Sequence, residues 1–135
     1  MKMKIRICIL LALVLTLTAF MSGCADEATA NQIKEDTVKM VDAIIARDRA
    51  AMGEVMRNAP TTSEELDEFM EYIAPFFEDM GEYKLIQTGW HSNFSTSGTT
   101  YTMKYQITSE DGEKIYQITA TAQKGTEGLV GFRVE

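Results

Sequence analysis

GTTYTMKYQITSEDGEKIYQITATAQ, residues 98–123, is the stretch whose pattern decides the fold. Its threonine, tyrosine and isoleucine residues are types that strands prefer, and the Asp111-Gly112 pair at its centre is a strong signal for a two-residue hairpin turn. Pairing outward from that turn sets apolar residues opposite one another: Ile107 with Tyr116, Tyr105 with Ile118, Met103 with Ala120, and Tyr101 with Ala122. A slip of one residue would turn every side chain to the other face, so this pattern predicts the register.

Two further strands extend the same apolar face. A turn at Ser97-Gly98 would place Phe94 opposite Tyr101 and Trp90 opposite Tyr105, and a three-residue loop at 125–127 would add Val130, Phe132 and Val134. The other face carries polar side chains, namely Thr100, Thr102, Lys104, Gln106, Thr108, Gln117, Thr119 and Thr121. We therefore predict an antiparallel sheet of four strands with one core face and one solvated face.

Helical spacing replaces this alternation in the part of the chain before the strands. Apolar residues between 33 and 45 recur at i, i+3 and i+4, which predicts a helix over residues 31–46 with Thr29 and Gln32 as a capping box. The segment RDRAAMGEVM, residues 47–56, predicts a short second helix. Helices followed by strands with one apolar face predict an α+β fold, in which N-terminal helices pack on a curved, cone-like four-stranded sheet.

A third helix is predicted after Pro60. Thr62 and Glu65 form its capping box, and its apolar stripe consists of Leu66, Phe69, Met70, Ile73, Phe77 and Met80. Pro75 lacks an amide hydrogen, so we expect it to kink this helix, and Gly81 is placed to close it.

The N-terminus has the layout of a secretory signal. Three positive charges in MKMKIR precede an apolar run over residues 7–21, which is shorter than the ~18 to 20 residues that a membrane-spanning helix needs. Met21-Ser22-Gly23-Cys24 resembles a bacterial lipobox, which implies that Cys24 receives diacylglycerol on its sulfur and becomes the mature N-terminus. A disulfide is the alternative, but Cys8 lies in the segment to be removed and leaves Cys24 without a partner.

These features predict three segments: a lipoprotein signal peptide over residues 1–23, a lipidated tether over 24–30, and one domain over 31–135. The lipid on Cys24 would hold the domain at the extracytoplasmic face of a bacterial membrane. The whole chain has a net charge of −7, and removing Lys2, Lys4 and Arg6 makes the mature protein more acidic still. Nucleic acid is therefore excluded as a partner, because its affinity comes largely from lysine and arginine on phosphates.

Three segments resemble the nuclear transport factor 2-like superfamily: IIARDRAAMGEVM (44–56), SEELDEFMEYIAPFF (63–77) and LVGFRVE (129–135). They are similar, more narrowly, to small cystatin-like bacterial lipoproteins of unknown function. The resemblance spans residues 31–135 and implies an α+β domain that can enclose a conical pocket between sheet and helices. Some members of the superfamily are isomerases, dehydratases or cyclases that use an aspartate or a histidine in that pocket.

Residues suited to catalysis or metal binding are few. His91 is the only histidine and is predicted on the polar outer face, so we assign no catalytic residue. The acids between Arg57 and Lys84 lack the spacing of a calcium-binding loop and are typical of a solvated helix face. One histidine and a lipidated cysteine cannot supply a typical zinc site. We therefore expect neither a metal nor a cofactor.

The remaining candidates are aromatic residues on the inner face. Phe77, Trp90, Tyr101, Tyr105 and Tyr116 are the candidate ligand-binding residues, and Phe94 belongs to the same inward set. They either form a packed core with hydroxyls at its edge or line a pocket. The leading hypothesis is a lipid-anchored, non-catalytic module that binds a small apolar ligand or a protein partner. The alternatives are a small-cone isomerase- or dehydratase-like enzyme and an envelope inhibitor or immunity-type interaction protein.

Overall fold

The computed structural model describes residues 27–135, in which three α-helices precede a curved antiparallel sheet. The helices are α1 (Glu27–Ile45), α2 (Arg49–Val55) and α3 (Ser63–Ile73), and a 3-10 helix over Ala74–Phe77 follows α3. The strands are β1 (Lys84–Ser95), β2 (Gly98–Thr108), β3 (Ile115–Gln123) and β4 (Gly131–Val134), in the order β1-β2-β3-β4. The predicted α+β fold is confirmed. Cys24 and the predicted signal peptide lie outside the described residues.

The first helix starts earlier than predicted. It includes Glu27, so residues 27–30, which were assigned to the tether, are helical, and Thr29 is not an N-cap. Alanine and glutamate favour a helix, and the carboxylate of Glu27 in the first turn interacts favourably with the helix dipole. The domain therefore extends at least to Glu27, and residues 24–26 of the predicted tether lie outside the described residues.

The helix α3 begins where the sequence predicts, and α2 begins at Arg49, two residues after the start of the predicted segment. The Asp48 side chain accepts a hydrogen bond from the Ala51 amide (3.1 Å) and caps α2. The Thr62 hydroxyl accepts one from the Glu65 amide (3.2 Å) and caps α3, which confirms Thr62 as the N-cap of the predicted capping box.

Pro75 changes the helix type rather than kinking a long helix. The α-helix ends at Ile73, and Pro75 lies at the start of the 3-10 turn, where its missing amide hydrogen removes no hydrogen bond. Gly81, with a φ of 61°, therefore does not close α3 as predicted, because the chain has already left the helix.

The register of the central hairpin agrees with the prediction at all four apolar pairs. Its turn is longer than predicted, because the Ser109 amide bonds to the Lys114 carbonyl (2.9 Å) and leaves residues 110–113 as the loop. Asp111 accepts hydrogen bonds from the Ser109 hydroxyl (2.5 Å) and the Glu113 amide (3.0 Å), and these lower the pKa of its carboxyl group. The loop changes no strand pairing, since both turns give the same register.

The register of the β1–β2 hairpin differs from the prediction by two residues. The turn is at residues 96–97, so Trp90 lies opposite Met103 and Phe94 opposite Thr99. A shift of two residues keeps each side chain on its predicted face, which is why the apolar pattern could not distinguish the two registers. A β-bulge between Gln87 and Gly89 adds a residue that the sequence did not reveal.

The last strand occupies the predicted face but begins later. Phe132 lies opposite Ala120 and Val134 opposite Ile118, as predicted, whereas Val130 precedes the strand. The loop over residues 124–130 is longer than the predicted three residues because it bends toward α2, and Leu129 is fully buried there.

The core lies between the helices and the inner face of the sheet. Its completely buried side chains include Met40, Met52, Tyr105, Ile107 and Ile118. Edge-to-face ring pairs join the layers as well: Phe69 with Phe132 at 6.3 Å, and Phe76 with Tyr116 at 5.4 Å between ring centroids.

Candidate functional site

The predicted aromatic residues do not line one common pocket. Phe77 and Tyr105 are packed in the core, with 1% and 0% of their surface exposed, and Trp90 and Tyr116 are half-buried against it. Phe94 is 78% exposed beside the β1–β2 turn. Tyr101 is the one member of the predicted ligand-binding set that lines the groove described below.

The hydroxyl of Tyr105 is buried without a hydrogen-bond partner among the described residues. The Thr37 side chain is its polar neighbour, but the Thr37 hydroxyl donates its own proton to the Ile33 carbonyl (2.7 Å). Burial raises the pKa of Tyr105 to about 12, and the nearby Thr37 side chain opposes the shift. Tyr105 is therefore neutral at physiological pH.

We expect stability to fall as the pH rises from 10 to 12. The unfolded chain releases the Tyr105 proton near its ordinary pKa of 10.0, whereas the folded chain keeps it until about 12. Folding stability is thus fully present below pH 10 and declines through this interval. Burial, followed by the hydrogen bond to Asp42, also raises the pKa of Tyr83. Urea unfolding at several pH values should show a smaller loss of stability between pH 10 and 12 in Tyr105→Phe than in wild type. The part of the loss that comes from Tyr83 should remain in this variant. An equal loss in the two proteins would contradict a raised pKa at Tyr105.

A groove of about 610 Å³ opens beside the first half of α1. Its walls come from the first half of α1, the end of α2, the inner face of the sheet and the loop after β3, which we call the β3–β4 loop (residues 124–130). The lining residues that carry charge or hydrogen-bonding groups include Gln32, Asp36, Lys39, Glu54, Arg57, Tyr101, Gln123, Lys124 and Glu127. The volume lies within the range of small-molecule sites.

The β3–β4 loop is held against the end of α2 by several contacts. The Leu129 amide donates to the Val55 carbonyl (2.9 Å), the Asn58 side chain donates to the Glu127 carbonyl (2.9 Å), and the Leu129 side chain is fully buried. Gly128 has a φ of 81°, and a Cβ there would lie 2.3 Å from the Val55 carbonyl oxygen. The loop backbone can approach α2 this closely only because residue 128 is glycine.

The charges of the groove divide into a paired and an unpaired set. Arg57 forms ion pairs with Glu54 (2.5 Å) and with Glu127. Asp36 is 6% exposed and accepts one hydrogen bond, from the Gln32 side chain (3.2 Å). Among residues 27–135, no group of opposite charge lies within ion-pair distance of Asp36, Lys39 or Lys124. A buried carboxylate and two ammonium groups are thus left for a bound molecule.

The other sequence candidates lie apart from the groove. His91 is exposed and pairs with Thr102 rather than Lys104, on the polar face where it was expected. Across the described residues, no group of three or more histidine, cysteine, aspartate or glutamate side chains could hold a metal ion. No helix in residues 27–135 is long and apolar enough to cross a membrane.

Comparison with known proteins identifies no relative: no family model matches the chain, and no curated protein is significantly similar to it.

The sequence pattern did not predict the groove, because the segments that line it are far apart in the chain. One signal was present: Asp36 lies three residues after Ile33 and four before Met40, on the apolar stripe of α1. A charged residue on the buried face of a helix is informative, because such groups are rarely buried without a partner.

Proposed function

We propose that this protein is a lipid-anchored, non-catalytic binding module at the extracytoplasmic face of a bacterial membrane, with its ligand in the groove beside α1. The observation that carries the proposal is the carboxylate of Asp36, which is buried in the groove wall and has no cation beside it within residues 27–135. Burying a charge without a partner of opposite sign lowers stability, and a bound cationic group would offset that cost. Membership of the nuclear transport factor 2-like superfamily is part of the proposal, supported by helices that precede a curved sheet.

The proposed ligand site differs from the aromatic cone that the sequence suggested. Tyr105, Met103 and Phe77 fill the space between sheet and helices, since each has at most 1% of its surface exposed. A small apolar ligand would have to displace these side chains, whereas the groove is already open. This packing favours a binding module over the small-cone enzyme.

Anchoring would place the groove close to the membrane surface. Cys24 precedes Glu27 by three residues, a distance of at most ~11 Å even for an extended chain. Ala28 and Thr29 line the groove, so its open end would lie near the lipid attachment point. The module would then meet ligands within or just above the lipid headgroups.

We expect Cys24→Ala to abolish lipidation. Cells expressing the protein are labelled with a radioactive fatty acid; wild type should carry label in the membrane fraction, and Cys24→Ala should accumulate as an unlabelled precursor. Cys8→Ala is the matched control and should behave as wild type, because Cys8 lies in the segment proposed to be removed. An unlabelled wild-type protein would end the anchoring proposal.

Ligand binding is tested separately from anchoring. The protein is purified from its own membranes in detergent and examined by native mass spectrometry. A small molecule should accompany wild type and be reduced in Asp36→Asn. Binding that is equal in both proteins would contradict a ligand site in the groove.

A further inference from the structure

The unpaired charges of the groove differ in position as well as in sign. Asp36 is buried in the wall, whereas Lys39 and Lys124 are exposed. Arg57 does not compensate Asp36, because its guanidinium group already contacts Glu54 and Glu127. A ligand that matches this arrangement carries a cationic group toward the wall and an anionic group toward the lysines.

The cationic end of such a ligand should be a primary ammonium group. One oxygen of Asp36 accepts from Gln32, and the carboxylate can accept further hydrogen bonds. An ammonium group has three donors, so it can bond to Asp36 and also to another acceptor in the wall, such as the Gln32 side-chain oxygen. Charge-assisted bonds of this kind are about twice as strong as neutral ones.

The groove lining also offers groups that match peptide bonds. Gln32 and Gln123 supply amide side chains, and the amide N–H groups of Gly125 and Glu127 have no partner within the described residues. Ile33, Val55 and Ala122 add apolar surface to the lining. The space of about 610 Å³ is more than one amino acid needs.

We propose that the groove binds a short peptide of two or three residues with free ends, its ammonium group on Asp36 and its carboxylate near Lys39 and Lys124. This deepens the proposed function and rests on the groove being a ligand site. Specificity would come from the buried carboxylate, because a ligand without an ammonium group would leave Asp36 uncompensated.

The test uses the full chain in detergent micelles, with triglycine as the probe and with calorimetry and amide chemical shifts as readouts. Triglycine should bind saturably and shift the amides of Gln32 and Gly125. N-acetyltriglycine, which lacks the ammonium group, should bind about ten- to hundredfold more weakly. Triglycinamide, which lacks the carboxylate, should bind about two- to fivefold more weakly, because the lysines are exposed.

Variants with matched controls locate the two ends of the peptide. Asp36→Asn should weaken triglycine binding about ten- to hundredfold, whereas Glu35→Gln, on the same helix but outside the groove lining, should leave it unchanged. Lys39→Gln should weaken it about two- to fivefold, and Lys34→Gln should not. Unaltered thermal midpoints would show that each variant is folded.

Three results would overturn the peptide assignment: no saturable binding of triglycine, equal binding of N-acetyltriglycine, or binding of O-phosphoethanolamine in place of triglycine. The last would indicate a lipid headgroup instead. If triglycine fails while a molecule co-purifies with wild type and not with Asp36→Asn, the peptide inference falls and the proposed function stands. If triglycine does not bind and no molecule co-purifies with wild type, both the peptide inference and the proposed function are contradicted.

Discussion

Replacing Tyr105 with alanine should lower the free energy of unfolding by about 3 to 5 kcal/mol. The side chain is completely buried on the inner face of β2, opposite Ile118 and beneath α1. Deleting the ring would remove its packing contacts and leave a cavity that the surrounding helices and strands can fill only in part. Urea unfolding measures the loss.

Two control variants test whether the loss of stability in Tyr105→Ala comes from deleting the buried ring. Tyr105→Phe should stay within about 1 kcal/mol of wild type, because the deleted hydroxyl has no partner among the described residues. Phe94→Ala should cost less than about 1 kcal/mol, because Phe94 is 78% exposed. A loss at Tyr105→Ala as small as that at Phe94→Ala would show that space beside Tyr105 is open, and would restore the aromatic pocket that the sequence allowed.

Gly128→Ala should cost about 3 to 4 kcal/mol and disrupt the groove. Residue 128 has a φ of 81°, a conformation that alanine adopts only with strain, and the added Cβ would lie 2.3 Å from the Val55 carbonyl oxygen. That oxygen belongs to helix backbone and cannot move aside. The β3–β4 loop would have to leave α2 and expose Leu129, which is fully buried. Urea unfolding and the amide shifts of residues 124–130 measure the two effects.

Gly125→Ala is the matched control in the same loop. Residue 125 also has a φ of 81°, but a Cβ there meets nothing within 4 Å. This variant should therefore show the conformational strain alone, about 1 to 2 kcal/mol, with the loop still held against α2. Equal losses in the two variants would contradict the close approach of the loop to the helix.

The central hairpin could be predicted because several independent features of its sequence agree. Its turn residues, its strand-forming residues and its apolar pairs all specify one register, and a slip of one residue would bury polar side chains. The β1–β2 hairpin lacks that redundancy. Two registers that differ by two residues keep Trp90 and Phe94 on the same face, and the bulge after Gln87 leaves no mark in the apolar pattern.

The groove could not be predicted, because it depends on contacts between segments far apart in the chain. Arg57 meets Glu127, and Gly128 meets Val55, only after the β3–β4 loop has folded back on α2. Charge counting could not show that Arg57 is paired with two carboxylates while Asp36 has no cation beside it within residues 27–135. The spacing of Asp36 from Ile33 and Met40 places it on the apolar stripe of α1 but does not show what lies beside it.

The central claim is that the aromatic interior is filled and that ligands bind in the groove beside α1. Its most direct test records amide chemical shifts of the isotope-labelled protein in micelles as the small-molecule fraction of the producing cells' envelope is added. We expect saturable shifts at Gln32, Asp36 and Gly125, and none at Tyr105 or Phe94. Saturable shifts centred on Tyr105 or confined to the β1–β2 turn, with the groove unchanged, would contradict the claim.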